Sequence, residues 1–438
     1  MPELKRSLGL LGATNVSIGA IIGAGIFVLS GVASGIAGPA VILSFMIAGA
    51  TAFLTALSSA ELSSFITEAG GSYIYADKAF GRFWGFLVGW TKSFDYIVGA
   101  SAVSIGFATY FVYFLGIPVM QSLIIIIGAA LPLLIMLLNF KGVKEASSTN
   151  NLLVILKVTA LVLFIIVGGF FLFSRGDFSN YHPFFPGGFA GMLSGAAIIF
   201  FAFIGFNTVT VLSEEIKNPE KTVPRAIMLA FGVSTLLYIG VSAVEVGLLN
   251  WKIIGASSAP LEVSMRAATN NFFVLKFISI SALFATASVV MASILGGSRA
   301  LFAMARQHVI PGSLARVSKN GVPFFTVLIS GIVIALIVIV THGNLEWLAS
   351  VFNFGTLITF FFINISVVRL RQKMPDANRT FKVPLYPIPP ILGLLCCFIL
   401  AIYLNFNAIM FAGAWIAIGI IAYYYNKRHY SADGMERL

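Results

Sequence analysis

The 438-residue chain is 59% hydrophobic and only 10% charged, with 41 Phe, 42 Gly and a net charge of +11. A soluble domain carries roughly 25% charged residues, and the mean hydropathy here is +0.98. A soluble enzyme, a disordered chain and a disulfide-stapled secreted scaffold are therefore excluded. The basic excess would fit nucleic acid only if membrane topology failed to account for it.

A bilayer-spanning helix needs about 20 apolar residues, and twelve apolar runs of this kind follow one another. Hydrocarbon offers the backbone no hydrogen-bond partner, so each run is expected to be helical. The first, Leu8–Ile36, is too long for a signal-peptide core and reads as a span. It contains the string SIGAIIGAGIF, with Gly19, Gly23 and Gly25. Val41–Phe65 follows, then Phe83–Phe114, which carries Lys92 and Asp95 three residues apart. That spacing permits a local ion pair on one helix face, or an intramembrane carboxylate that exchanges protons. After Val119–Leu138, the run Leu152–Phe173 holds Lys157 too deep for an easy reach to the headgroups. The sixth run, Phe189–Leu212, reads FFAFIGFNTV around Gly205.

The second half continues with Ala226–Leu249, Phe272–Met304, Val322–Val340, Leu345–Val368, Ile388–Asn405 and Ala408–Tyr425. Glu61 and Glu245 fall near the ends of their runs and are expected at the membrane interfaces. Cys396 and Cys397 are adjacent within an apolar run, where a structural bridge is implausible. The largest outer stretch, Asn250–Asn271, is too short for a soluble domain.

Charge placement tests the topology. With the N-terminus inside, only Arg175, Lys252, Arg266 and Lys276 of the 27 basic residues fall in outer segments. Lys92 and Lys157 lie within spans, and all others fall on the inner side. This bias predicts cytoplasmic N- and C-termini in a multi-pass protein of the cell membrane. It also uses up the basic excess, so the partner is the lipid bilayer and no nucleic acid is needed.

The two glycine interruptions sit at similar depth in helices that enter from opposite sides. Five spans separate their starts, an odd number, so a second five-span unit would insert upside down. That is the pattern of an inverted repeat with discontinuous helices 1 and 6. The expected fold is all-α, a 5+5 inverted repeat followed by two further spans. Its parts are residues 1–182 (spans 1–5), 183–383 (spans 6–10) and 384–438 (spans 11–12 with the C-terminus). Close helix packing by small residues would explain either glycine cluster alone, but explains the matched pair less well.

No metal or cofactor chemistry is legible. His182, His308, His342 and His429 all fall in loops or tails, no H-E-x-x-H occurs, and Val28 spoils a G-x-G-x-x-G reading at Gly23. The breaks suggest a ligand instead. A half-helix starting near Gly25 offers free N–H groups and the positive dipole end, suited to a carboxylate. A half-helix ending near Ile204 offers carbonyls, suited to an ammonium. An amino acid presents both groups about 2.5 Å apart.

The strings IGAGIFVLSG, GGSYIYA…FGRFWGFLVGW, NFKGVKEASSTNNLLVILK, FAFIGFNTVTVLSEEIKNPEKTVPRAI and GGSRALFAMARQHVIP resemble the amino acid–polyamine–organocation (APC) transporters. The likeness runs from Ser7 to about Tyr425 and is nearest to prokaryotic members of the cationic amino acid transporter branch. It implies alternating access by a ten-helix inverted-repeat core, and would make the two further spans peripheral helices. Carried over, Ile22, Gly23, Ala24 and Gly25 would hold the carboxylate through backbone amides. Phe201, Ala202 and Ile204 would hold the amine through carbonyls, with Phe206 as an aromatic gate. In proton-coupled members similar to this chain, a lysine at the position of Lys157 replaces a sodium ion. Gly19, Ile22 and Ser288 would be its neighbours, and Asp95 would stand where a glutamate is common. Lys92 departs from the family pattern and puts the Asp95 role in doubt.

These readings lead to a secondary transporter rather than an enzyme, with amino acids and protons as its small partners and no cofactor. Absence of an acidic residue at the contact positions favours small or apolar neutral substrates, while the branch likeness keeps cationic ones open. An exchanger without proton coupling and a membrane amino-acid sensor are the alternatives; the sequence says nothing about accessory subunits.

Overall fold

In the computed structural model, residues 8–66, 68, 71–140, 147–206, 208–211, 216–306, 312–316 and 323–430 are described. Among them the chain is all-helical, and its one β-type pairing is an isolated bridge between Leu8 and Ile216. The inner-side basic residues Lys5, Arg6, Lys141, Lys144, Lys319 and Arg437 lie outside the described residues.

Eight described helices or helical runs are long and apolar enough to cross a membrane, and three shorter apolar helices accompany them. The first run, Leu10–Ser63, is not one rod. It divides into α1 (Leu10–Ile21), a π-helical turn Gly25–Leu29, α2 (Ser30–Ala37) and, past the turn at Gly38, α3 (Val41–Ser63). Then come α4 (Ser72–Phe80), α5 (Arg82–Leu115), α6 (Gln121–Phe140) and α7 (Ser147–Arg175). The sixth run is also divided, into α8 (Gly188–Ile199), a 3₁₀ turn Phe200–Phe203 and α9 (Thr208–Val211).

Next is α10 (Pro219–Leu248). The outer stretch expected as loop folds into two short helices, α11 (Trp251–Gly255) and α12 (Pro260–Ala268). The chain continues through α13 (Phe272–Arg306), α14 (Phe324–Val340), α15 (Leu345–Lys373), α16 (Ile388–Ile402) and α17 (Phe406–Tyr430).

Burial separates core from periphery. The strongest spanning segments of the first run and of α5 are 78% buried, whereas that of α17 is 17% buried. Phe398 on α16 and Ile421 on α17 point outward, as apolar side chains facing lipid would. The α17 helix is attached through Trp415, which stacks on Trp90 at 4.6 Å and accepts its indole N–H at 2.9 Å through the backbone carbonyl.

Within the core, small residues bring backbones together. A Cβ added at Gly35 of α2 would lie 2.9 Å from Gly255 Cα of α11, so α2 and α11 touch backbone to backbone. Polar pins set the register elsewhere. Asn364 of α15 donates to Thr55 Oγ1 at 2.8 Å and accepts from Ser58 at 2.7 Å, fixing α15 against α3.

The two acids near span ends are both covered by protein. Glu61 is 1% exposed and bound by Arg371 at 2.7 and 2.6 Å and by Val383 N at 2.7 Å. Glu245 is 0% exposed in the packing of α10 against its neighbours. Position along a helix gives depth, but whether protein covers that depth depends on segments far away in sequence.

Candidate functional site

The two glycine interruptions meet. At the first, α1 ends at Ile21 and Ile22 turns extended (φ −77°, ψ 95°) before the chain resumes at Ala24. At the second, Ile204 is extended (ψ 143°) and Gly205 has φ +120°, a conformation that side-chain-bearing residues rarely adopt. A Cβ at Gly25 would fall 2.2 Å from Ala202 Cα, and one at Gly205 would fall 2.5 Å from Ala20 O. Each break therefore uses its glycine to admit the backbone of the other.

Consequently Ile22, Gly23, Ala24 and Gly25 face the same junction as Phe201, Ala202 and Ile204. All are buried except the half-buried Ile204. Half-helix ends carry unpaired N–H or C=O groups by construction. Phe206 is fully buried against Phe360 (5.3 Å) and Phe231 (6.5 Å), and Phe201 packs on Phe352 at 4.4 Å. Asn207, at the end of the second break, lies outside the described residues.

Three side chains outside the expected set hold the broken backbone. Tyr238 of α10 donates to Ile21 O at 2.8 Å, and Tyr110 of α5 donates to Phe27 O at 2.6 Å. Asn353 of α15 donates to both Ala197 O and Ile198 O at 2.8 Å. These bonds tie α5, α10 and α15 to backbone carbonyls at or beside the two breaks. A polar group inside an apolar run was the available signal; which carbonyl it would reach was not.

Lys157 of α7 is 2% exposed, and its ammonium donates to Gly19 O at 3.1 Å and Ser288 Oγ at 3.0 Å. It thus ties the last turn of α1 to α13. Among the described residues no carboxylate lies within ion-pair distance of it. Asp95 belongs to a different contact. Its Oδ2 lies 3.8 Å from Lys92 Nζ and accepts from Thr356 at 3.1 Å, while its buried Oδ1 has no partner. No described hydrogen bond or ion pair joins Asp95 to Lys157.

A cleft of about 360 Å³ lies beyond the junction, between α2 and α11. It is lined by Val32, Gly35, Ile36, Trp251, Lys252, Gly255 and Glu346. Among the described residues no cluster of His, Cys, Asp and Glu could hold a metal ion.

A family model for amino acid permeases matches residues 12–430. The chain belongs to the amino acid permease family. It is 36% identical to a branched-chain amino acid permease of Bacillus subtilis (strain 168), covering 98% of this chain and 94% of that protein. It is also 35% identical to a methylthioribose transporter of the same organism, covering 98% and 95%. Among solved structures, a manganese transporter of Eremococcus coleocola shares the fold with a TM-score of 0.56 over 94% of each chain, at 13% identity. The APC resemblance read from the motifs is therefore correct. This is a multi-pass membrane transporter of the amino acid permease type, not an enzyme.

Proposed function

We propose that the chain imports amino acids across the cell membrane by proton-coupled alternating access, favouring small or apolar neutral side chains. The observation that carries the reading is the junction of the two broken spans, with Lys157 tethering one of them to α13. Amides of Ile22, Gly23, Ala24 and Gly25 would receive the substrate carboxylate. Carbonyls of Phe201, Ala202 and Ile204 would receive its ammonium. Phe206 would close over the ligand.

In this reading residues 1–182 and 183–383 form the two inverted repeats, and 384–438 adds the peripheral pair. Counting the two passes of Leu10–Ser63 separately and adding the short apolar helices supports twelve crossings. Both termini lie in the cytoplasm.

The coupling step follows from charge. Ionised, Lys157 binds Gly19 O and Ser288 together much as a bound cation would. Neutral, it holds them more weakly, since hydrogen bonds from ionised donors are roughly twice as strong. Protonation therefore shifts the balance between two core arrangements. An ammonium in that place leaves no room for sodium. The Lys92 and Thr356 contacts support a local structural role for Asp95 over a relay to Lys157.

None of the proposed contact positions carries the acidic side chain that a cationic substrate would favour, and the branched-chain relative points the same way. A thermal-shift screen of the purified protein against twenty amino acids and methylthioribose tests the substrate class. Stabilisation by leucine, isoleucine, valine or alanine supports the reading. Stabilisation by methylthioribose or arginine alone would replace it. Counterflow without net uptake would make the protein an exchanger.

A further inference from the structure

The carboxyl of Glu245 stands apart from the machinery described so far. It is 0% exposed on α10. Its Oε1 accepts from Ser30 Oγ at 3.1 Å, and its Oε2 is buried without a hydrogen-bond partner. Ser30 opens α2, the outer half of the first span, directly after the π-helical turn that begins at Gly25.

The charged and titratable groups around it are otherwise engaged. Between Leu10 and Ala37 the first span has no ionisable side chain. On α3 the sole acid is Glu61, held by Arg371. Tyr110 of α5 gives its hydroxyl to Phe27 O. Glu262 of α12 has both oxygens filled, by Arg266 at 3.0 Å and Ser279 at 2.6 Å; burial still raises it above its ordinary value.

The remaining cations face other acceptors. Lys276 donates to Phe114 O, Arg175 to Ala267 O, and Lys157 to Gly19 O and Ser288. Tyr181 gives its hydroxyl to Ala243 O. Among the described residues no Lys, Arg or His nitrogen lies within 4.0 Å of the Glu245 carboxyl.

An ionised carboxylate accepts several hydrogen bonds or needs a counter-ion, and here it would have one hydroxyl. Burying such a charge costs far more than burying a neutral acid, and the group neutralises instead. We infer that Glu245 is a second proton-binding site, whose proton keeps Ser30, at the start of the outer half of the first span, in contact with α10. With the proton bound, α2 packs through Ser30 against a neutral acid. Without it, an uncompensated charge sits in that contact, and relief comes by parting α2 from α10 and admitting water. The site lies on the outer side of the junction, so outside pH sets the docking: acid closes the outer half, alkali releases it.

This inference uses the alternating-access reading only in that α2 moves, and it does not require Lys157 to be the coupling residue. Infrared difference spectroscopy of the purified full-length protein across pH reads the acid itself. The expected result is a carboxylic-acid C=O band present at neutral pH, lost on alkalinisation and missing in Glu245→Gln. Docking is read by a membrane-impermeant maleimide on Val32→Cys, which lines the outer cleft, with Cys396 and Cys397 replaced by Ala.

Labelling should rise several-fold more steeply with pH when position 245 is glutamate than when it is glutamine, because thiol chemistry is common to both. A glutamine variant with an unchanged C=O band, or with the full pH response of labelling, would overturn the proposal. So would a Glu245→Gln protein that fails to fold, because glutamine is the neutral isostere of the proposed state.

Discussion

At the scale of single residues, Lys157 and Phe206 separate coupling from occlusion. Lys157 contributes two hydrogen bonds to groups on different helices. Lys157→Ala should keep substrate binding within about threefold yet lose at least about tenfold in gradient-driven uptake, a difference of about 1.4 kcal/mol. Binding by calorimetry alongside uptake checks this; a mutant that keeps its pH response would remove Lys157 from coupling. Phe206 makes ring contacts with Phe231 and Phe360, so Phe206→Ala should impair transport more than binding. Normal uptake in that variant would return the ring to ordinary packing. Asp95→Asn should lower thermal stability while sparing coupling, because its partners are Lys92 and Thr356; loss of coupling with binding intact would instead establish a relay.

At the scale of elements, the broken spans show what a sequence reveals and what it hides. Gly23, Gly25 and Gly205 were visible because glycine interrupts otherwise continuous apolar runs. That the breaks touch backbone to backbone was not visible, since the contact joins residues nearly 180 positions apart. It changes one expectation. Read alone, Gly25→Val should abolish binding and leave folding intact, but a Cβ at Gly25 meets the backbone of Ala202 at 2.2 Å. Gly25→Ala should therefore also lower the thermal midpoint, with a packing cost on the order of 1–3 kcal/mol. A ligand-free midpoint equal to wild type would contradict that contact. The roles of Tyr238, Tyr110 and Asn353 are not legible in the sequence, because a lone polar residue in an apolar run has no periodic signature. The burial of Glu61 was not legible because its partners, Arg371 and Val383, lie far along the chain. The Glu61 pin is testable. Glu61→Gln should destabilise by about 2–3 kcal/mol, toward the low end for a buried pair because Arg371 is 23% exposed.

At the scale of the whole molecule, the apolar runs predict an all-helical, multi-pass membrane protein, and the family match over residues 12–430 agrees with it. Burial grades from the enclosed first run to the exposed α17, as a transport core with a lipid-facing edge requires. The proposed mechanism asks that a proton gradient, acting through a few buried groups, bias how the two broken spans sit against their neighbours. The most direct measurement is uptake of radiolabelled leucine into proteoliposomes holding the purified protein, with an inward proton gradient, an inward sodium gradient, or neither. The account predicts accumulation driven by the proton gradient, none added by sodium, and its loss in Lys157→Ala. Uptake that depends on sodium, or that ignores both gradients and proceeds only in exchange for internal amino acid, would contradict it.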